Sequence, residues 1–463
     1  MKNRWAVAVA GTITMVCLGT VYSWSLFSQP LIAGFGWSAT TTVWTFSTAI
    51  FFLGVGAILG GRWQDRAGPR PVVVTGAVLW GLGNVLAGLG TAHFGAWWIY
   101  LTYGVVGGLG LGLGYITPVA AVTKWFPDRR GLAGGMVVMG FGLGTFFYNN
   151  VVKNVPAFRD ATTQAKAVVD ARGRGEVRTL DPVHVSAVMR TFVVSGVVFA
   201  AVGGLCASFV TNPPASGSPG SATPQAAVPD ASSASHARGG RVATEPAPAP
   251  PPPPATGVAG AERSFTPLEA ARTPQFYSLW SMLFLNVTAG ILVISNAVPI
   301  ITELTKVPPG RAAGVYGLLA VFNGLGRFFW GAVSDRIGRN LAYVLIYGVQ
   351  AVIFFALGHV HALGVVGALF AVVLLCYGGG FGTMPSFTAD YFGTKFMGLI
   401  YGWVLLAWGV AGVVGPIFAA KVKDRTGSFS GALPVVAVML AVATILPLVT
   451  RRPARPSAQP SPA

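Results

Sequence analysis

Runs of about twenty apolar residues, separated by short polar turns, recur along the chain. Twelve have roughly the length a bilayer-crossing helix needs: 5–31, 41–61, 71–91, 95–122, 131–151, 191–211, 276–301, 312–333, 341–358, 362–388, 397–419 and 431–450. The pattern predicts an all-α membrane protein of 12 transmembrane helices. The first run is too long for the apolar core of a cleaved signal, so it reads as a retained helix. An even number of crossings puts both chain ends on one side.

One region breaks the pattern. Residues 213–261 are rich in Pro, Ala, Ser and Gly and include "PAPAPPPPPATG". Such a segment holds too little apolar surface to fold. It predicts a disordered linker over 212–264 between an N-terminal six-helix half, 1–211, and a C-terminal half, 265–450, followed by a tail, 451–463. The stretch "FTPLEAARTPQFY", 265–277, reads as a short amphipathic entry to the seventh helix.

Composition agrees with the membrane reading. The chain is 53% hydrophobic and 10% charged, with a mean hydropathy of +0.63, against about 25% charged residues in soluble proteins. The net charge of +17 does not imply nucleic acid, because the basic residues cluster beside apolar segments. Lys2, Arg4, Arg62, Arg66, Arg70, Lys124, Arg129, Arg130, Arg336, Arg339, Arg451, Arg452 and Arg455 fall on one side of the predicted topology. By the positive-inside rule that side is cytoplasmic, which places both termini there in an inner membrane. Lys306, Arg311, Lys421, Lys423 and Arg425 run against this, as does the mixed-charge loop 152–190; long loops weigh less and early helices dominate. Cys17, Cys206 and Cys376 lie in apolar runs without disulfide or metal spacing, so neither a metal nor a cofactor is expected.

The two halves repeat each other. Gly61, Asp65, Arg66 and Gly68, in "GRWQDRAGPR" with Arg70, recur at an offset of 270 as Gly331, Asp335, Arg336 and Gly338 in "GAVSDRIGRN". Pro118, Gly131, Gly135 and Gly142 recur at an offset of 267 as Pro385, Gly398, Gly402 and Gly409. The same order of matches through both halves predicts two parallel repeats. The glycine runs "GGLGLGLGY" and "GGGFG" lie inside apolar helices and lack a phosphate-loop lysine, so they read as close helix packing.

The paired G-x3-D-R-x-G loops resemble the signature of the major facilitator superfamily. Its fold joins two such halves around a midplane substrate site. "VYSWSLFSQPL", "GWS", "KWFPDRRGLAGG" and "FNGLGRFFWG" resemble the oxalate:formate antiporter family, near the monocarboxylate transporters. That resemblance implies a secondary transporter of small carboxylates such as formate, oxalate or lactate, and not an enzyme. No nucleophile, metal cluster or catalytic dyad suggests one either.

Charge within a bilayer is costly and by default marks function. None of the 14 acidic residues and none of the 5 histidines falls in mid-helix. Among basic residues only Arg327 does, about six residues or 9 Å from the predicted end of the eighth helix. Its side chain either snorkels to the headgroups or faces a central cavity. Asn323 and Gly324, one turn earlier, and Tyr316 beyond them share its face, which favours the cavity. With no carboxylate available in the membrane, the missing partner is then a carboxylate substrate, bound through two parallel hydrogen bonds.

The resemblance implies the same role for Arg327, because an arginine in that helix binds the anion in this family. It also sets out two departures. Monocarboxylate transporters place an aspartate one turn before the arginine, and here Asn323 stands there. The oxalate transporters carry a lysine in the eleventh helix, and Trp408 stands at that position. One cation shifts the expectation toward a monocarboxylate, and the absence of a titratable partner toward anion exchange. Proton symport remains the alternative, and an anion sensor without flux a third reading. Tyr22, Tyr115, Tyr148 and Tyr377 complete the candidate cavity, with Trp24, Trp44, Asn286 and Asn296 as further candidates. Asp65 is expected to accept from helix N-termini or arginines across the cytoplasmic face, with Arg66 and Arg70 as partners. The partners are thus a small carboxylate and the bilayer, with no nucleic acid and a monomeric state.

Overall fold

The computed structural model describes residues 3–454 except 175, 177, 215–263, 427 and 429. Among these there is no strand. The expected linker, from 215 to 263, and the tail from 455 lie outside the described residues.

Twelve long helices appear in order: α1 (Arg4–Phe35), α2 (Ala39–Ala67), α3 (Pro69–Phe94), α4 (Ala96–Trp125), α5 (Arg130–Lys153), α6 (Pro182–Ala207), α7 (Pro274–Ser295, continued by Ala297–Thr305), α8 (Pro309–Ile337), α9 (Arg339–Leu357), α10 (Leu363–Phe392), α11 (Met397–Thr426) and α12 (Ala432–Val449). Ten of them are long and apolar enough to cross a membrane. α7 is interrupted at Asn296, and α8 holds Asn323 and Arg327 within its run.

Most helices outrun their apolar stretches because their end turns are polar. The sixth shows this best. It begins at Pro182 and not near 191, with the Asp181 side chain accepting from Val183 N and proline in the first turn, both strong helix starts. The 152–190 loop holds a further helix, Pro156–Gly173. It has no long apolar run, but Phe158, Ala161, Ala165, Val168 and Ala171 form one buried face. Phe158 packs on Phe27 of α1 at 5.3 Å. Arg172 fastens the helix: its guanidinium donates to Ile32 O at 2.9 Å, Ala33 O at 3.0 Å and Arg178 O at 2.8 Å. The first two are carbonyls of the last α1 turn, which also accept from Gly36 N at 3.1 Å and Leu180 N at 3.4 Å. The entry to α7 is a capped turn, Pro267–Ala271, with Thr266 and Glu269 forming a reciprocal capping box.

One end of the bundle holds both chain ends. Arg4 pairs there with Asp128 at 3.2 Å, and Thr450 O accepts from Asn340. At this end the repeat positions meet reciprocally. Gly61 of α2 lies against Gly398 of α11, and Gly131 of α5 against Gly331 of α8. A Cβ on any of the four would overlap its partner's backbone or close side chains. The repeat thus preserves backbone-to-backbone crossings between the halves. Gly68 and Gly338, with φ of +80° and +86°, make the same turn after α2 and α8, a conformation that favours glycine.

Candidate functional site

The same reciprocity governs the signature aspartates. Asp65 accepts from the backbone N–H groups of Gly398 and Leu399 at 3.2 and 2.9 Å. Asp335 accepts from those of Gly131 and Leu132, both at 2.8 Å. Each carboxylate therefore caps the first turn of a helix in the opposite half, where orphan N–H groups and the positive end of the helix dipole attract an anion. Asp65 takes these backbone N–H groups and, among the described residues, no arginine. Arg66, Arg70 and Arg336 point to solvent and pair with neither aspartate. The cross-half charges are others. Asp390 takes Arg130 of the opposite half and Arg339 of its own, each at 2.9 Å, and Arg339 also reaches Asp335 at 2.6 Å.

Arg327 lies ten residues before the last of α8, about 15 Å of helix rise and deeper than its apolar run suggested. It is 0% exposed, so its side chain does not snorkel. The guanidinium turns toward α5 and α10. Its carbon sits 4.7 Å from the Phe381 ring centre and 5.6 Å from that of Phe141, within cation–π range. Nε reaches Asn323 Oδ1 at 3.4 Å and Nη1 reaches Val138 O at 3.5 Å, both at the long limit for hydrogen bonds. Nη2 has no partner. Among the described residues no carboxylate pairs with it. Gly142 lets α5 approach this closely: a Cβ there would stand 2.6 Å from Gly324 Cα and 3.2 Å from Arg327 Nε.

Trp408 of α11 is the centre of an aromatic box beside the guanidinium. Its ring lies 4.8 Å from Phe381, 5.5 Å from both Phe141 and Tyr115, and 6.1 Å from Tyr22. Trp408 Nε1 and the Tyr22, Tyr115 and Tyr401 hydroxyls are buried and make no hydrogen bond of good geometry, although Tyr22 and Tyr115 lie close to the Arg327 guanidinium and Tyr401 close to Tyr115. Leaving such groups unpaired in a dry interior is costly, so this is where a ligand with acceptor atoms gains most. The cluster draws on α1, α4 and α5 from one half and α8, α10 and α11 from the other; Arg327, Tyr115, Tyr401 and Trp408 are fully buried, and Tyr22 and Asn323 at its edge are partly exposed.

Of the sequence candidates, Arg327, Asn323, Tyr22, Tyr115 and Trp408 come together. Tyr377 sits just behind, its ring 5.5 Å from Phe381 and its carbonyl accepting from Asn286 at 3.0 Å. Tyr148 stands apart, its hydroxyl 2.7 Å from Ser195 Oγ and its ring beside Phe199 within the first half. Trp24 donates to Thr42 O within the same half, and Trp44 is exposed. Sequence reading missed Phe141, Phe381 and Tyr401. Tyr401 lies seven residues before Trp408 on the same α11 face, a spacing that could have singled it out.

The family model for the Major Facilitator Superfamily matches residues 9–149 and 185–416, and its gap coincides with the Pro156–Gly173 insertion. The chain is 26% identical over 434 residues to the oxalate:formate antiporter of Oxalobacter formigenes, covering 92% of this chain and 87% of that protein. It is 24% identical over 472 residues to apicoplast pyruvate carrier 1 of Toxoplasma gondii, covering 87% and 81%. Among solved structures it resembles the Major Facilitator Superfamily transporter FucP, in the outward conformation, with a TM-score of 0.66, 18% identity and coverage of 96% and 99%. The family model covers most of the chain, and the chain belongs to the major facilitator superfamily of membrane transporters, which are not enzymes.

Proposed function

We propose that this protein exchanges small carboxylate anions across the inner membrane by alternating access, with Arg327 as the anion anchor. The observation that carries the reading is the buried guanidinium with one free nitrogen and no carboxylate partner among the described residues. An uncompensated buried charge is strongly unfavourable; a bound carboxylate supplies both the charge and two acceptor oxygens. Tyr22, Tyr115, Tyr401 and Trp408 offer further donors from aromatic walls. Asn323 contacts the arginine and cannot titrate, which supports exchange over proton symport. A single cation favours a monocarboxylate such as formate or lactate over oxalate. The similarity to an oxalate:formate antiporter supports the carboxylate class.

In this proposal the end holding the termini is cytoplasmic, the linker over 212–264 joins the halves there, and the protein acts as a monomer. Asp65 and Asp335, with Gly61, Gly68, Gly331 and Gly338 shaping their loops, form a gate that closes the cytoplasmic side and opens as the halves rock. Arg66, Arg70 and Arg336 contribute positive charge to that face.

The test is uptake of labelled formate, lactate or oxalate into proteoliposomes. Exchange requires unlabelled anion inside. Uptake into empty vesicles driven by an inward proton gradient would refute exchange in favour of symport.

A further inference from the structure

A second candidate binding site lies on the outer surface of the bundle, at the end where Arg4 and Thr450 lie. A cleft of about 490 Å³ opens there between α9, the end of α10 and α12. Its lining divides by chemistry. Leu341, Val344 and Leu448 form apolar walls, and Arg451 and Arg452 stand at the rim. The back is polar and already satisfied: Asn340 Nδ2 donates to Pro447 O and Thr450 O, both at 2.6 Å, and Tyr391 Oη sits 3.0 Å from Thr450 O. Both arginines are exposed, and neither pairs with a carboxylate among the described residues. Both arginines belong to the lining of the cleft itself.

We propose that this cleft holds the headgroup of an anionic phospholipid. Two unpaired arginines where an apolar helix surface ends are the arrangement that recognises such a headgroup. The apolar walls favour a lipid over a free anion, because they continue into Ile445, Leu448 and Val449, which are 54%, 66% and 63% exposed along α12 and offer a track for an acyl chain. The position also links the cleft to the contact between the halves. Asn340 follows Arg339 and Tyr391 follows Asp390, the two partners of an ion pair that Arg130 extends across to the first half. A lipid seated here braces that corner of the closed end.

Native mass spectrometry of the full-length protein tests this, with phosphatidylglycerol, phosphatidylcholine and soluble glycerol 3-phosphate offered separately. Two variants are compared with wild type: Arg451→Gln with Arg452→Gln, which removes the charge, and Val344→Trp, which fills the cleft and keeps the arginines. Wild type is expected to retain phosphatidylglycerol over phosphatidylcholine. Both variants are expected to lose that preference, the charge variant by about 30-fold in affinity for its two lost charges. Wild-type retention by the charge variant overturns the proposal, and retention by Val344→Trp alone moves the lipid out of the cleft and overturns it too. Equal binding of glycerol 3-phosphate makes this a site for a soluble anion and not for lipid. Circular dichroism of each variant separates lost binding from lost fold.

Discussion

Replacing a signature aspartate by asparagine should loosen the closed end by an amount the geometry sets. Asp65 holds two backbone N–H groups of α11, at 3.2 and 2.9 Å. Hydrogen bonds to a charged acceptor contribute about 1.5–3 kcal/mol each, against about 1 for neutral ones, and the helix dipole adds a few tenths to 1. Asparagine keeps one acceptor, loses the charge and turns an amide toward a second donor. The cost in the closed state is about 2 kcal/mol, or about 30-fold in the balance between closed and open forms. Asp335→Asn should cost more, about 3 kcal/mol, because Asp335 also holds Arg339 at 2.6 Å and is only 16% exposed. Spin labels at the exposed Arg66 and Lys395, in a background without Cys17, Cys206 and Cys376, report the separation of the halves by pulsed electron resonance. The longer-distance population should grow in Asp65→Asn and grow further in Asp335→Asn. An unchanged distribution in both would refute the capping role, and the reverse order would refute the weight given to Arg339.

Other outcomes follow from the same geometry. Gly331→Ala places a Cβ against the Gly131 backbone, so the variant should fold but lose nearly all uptake; wild-type uptake would mean that the crossing opens without cost. Trp408→Lys adds a second cation beside Arg327 and should shift competition for uptake toward oxalate over formate by about 10-fold, one good charge pair; an unchanged ratio would place Trp408 outside the substrate's reach. Arg172→Ala removes the donors to Ile32 O and Ala33 O and should destabilise the protein by about 1–3 kcal/mol, read as a lower Tm. Arg172→Lys should recover only part of it, since one ammonium cannot match the forked geometry.

The twelve helices were legible because the bilayer imposes a length and a polarity that the chain must show locally. The reciprocal contacts were half legible. The offsets of 270 and 267 announced that Gly61, Asp65, Gly131 and their counterparts matter, but not that α2 of one half meets α11 of the other. From the sequence Asp65 has two kinds of expected partner, helix N-termini and arginines, with Arg66 and Arg70 named. The fold gives that carboxylate the backbone donors and sends Arg130 to Asp390, 260 residues away. Arg327 stood out because a lone charge in an apolar run has no bland purpose. Phe141, Phe381 and Tyr401 did not, because an aromatic residue in a membrane helix looks the same whether it packs, anchors or lines a site. The Pro156–Gly173 helix was hidden because its buried face is mostly alanine and valine, too weak a stripe among charges to read as a helix.

Counterflow in proteoliposomes containing wild type, Arg327→Lys or Arg327→Gln bears most directly on the anion anchor. Vesicles are loaded with unlabelled formate or lactate, and entry of the labelled anion is followed, with protein folding checked by Tm. Wild type should accumulate label, and both variants should fall by at least about 100-fold, since lysine keeps the charge but loses the paired hydrogen bonds. Wild-type counterflow in a folded Arg327→Gln protein would contradict Arg327 as the group that holds the substrate.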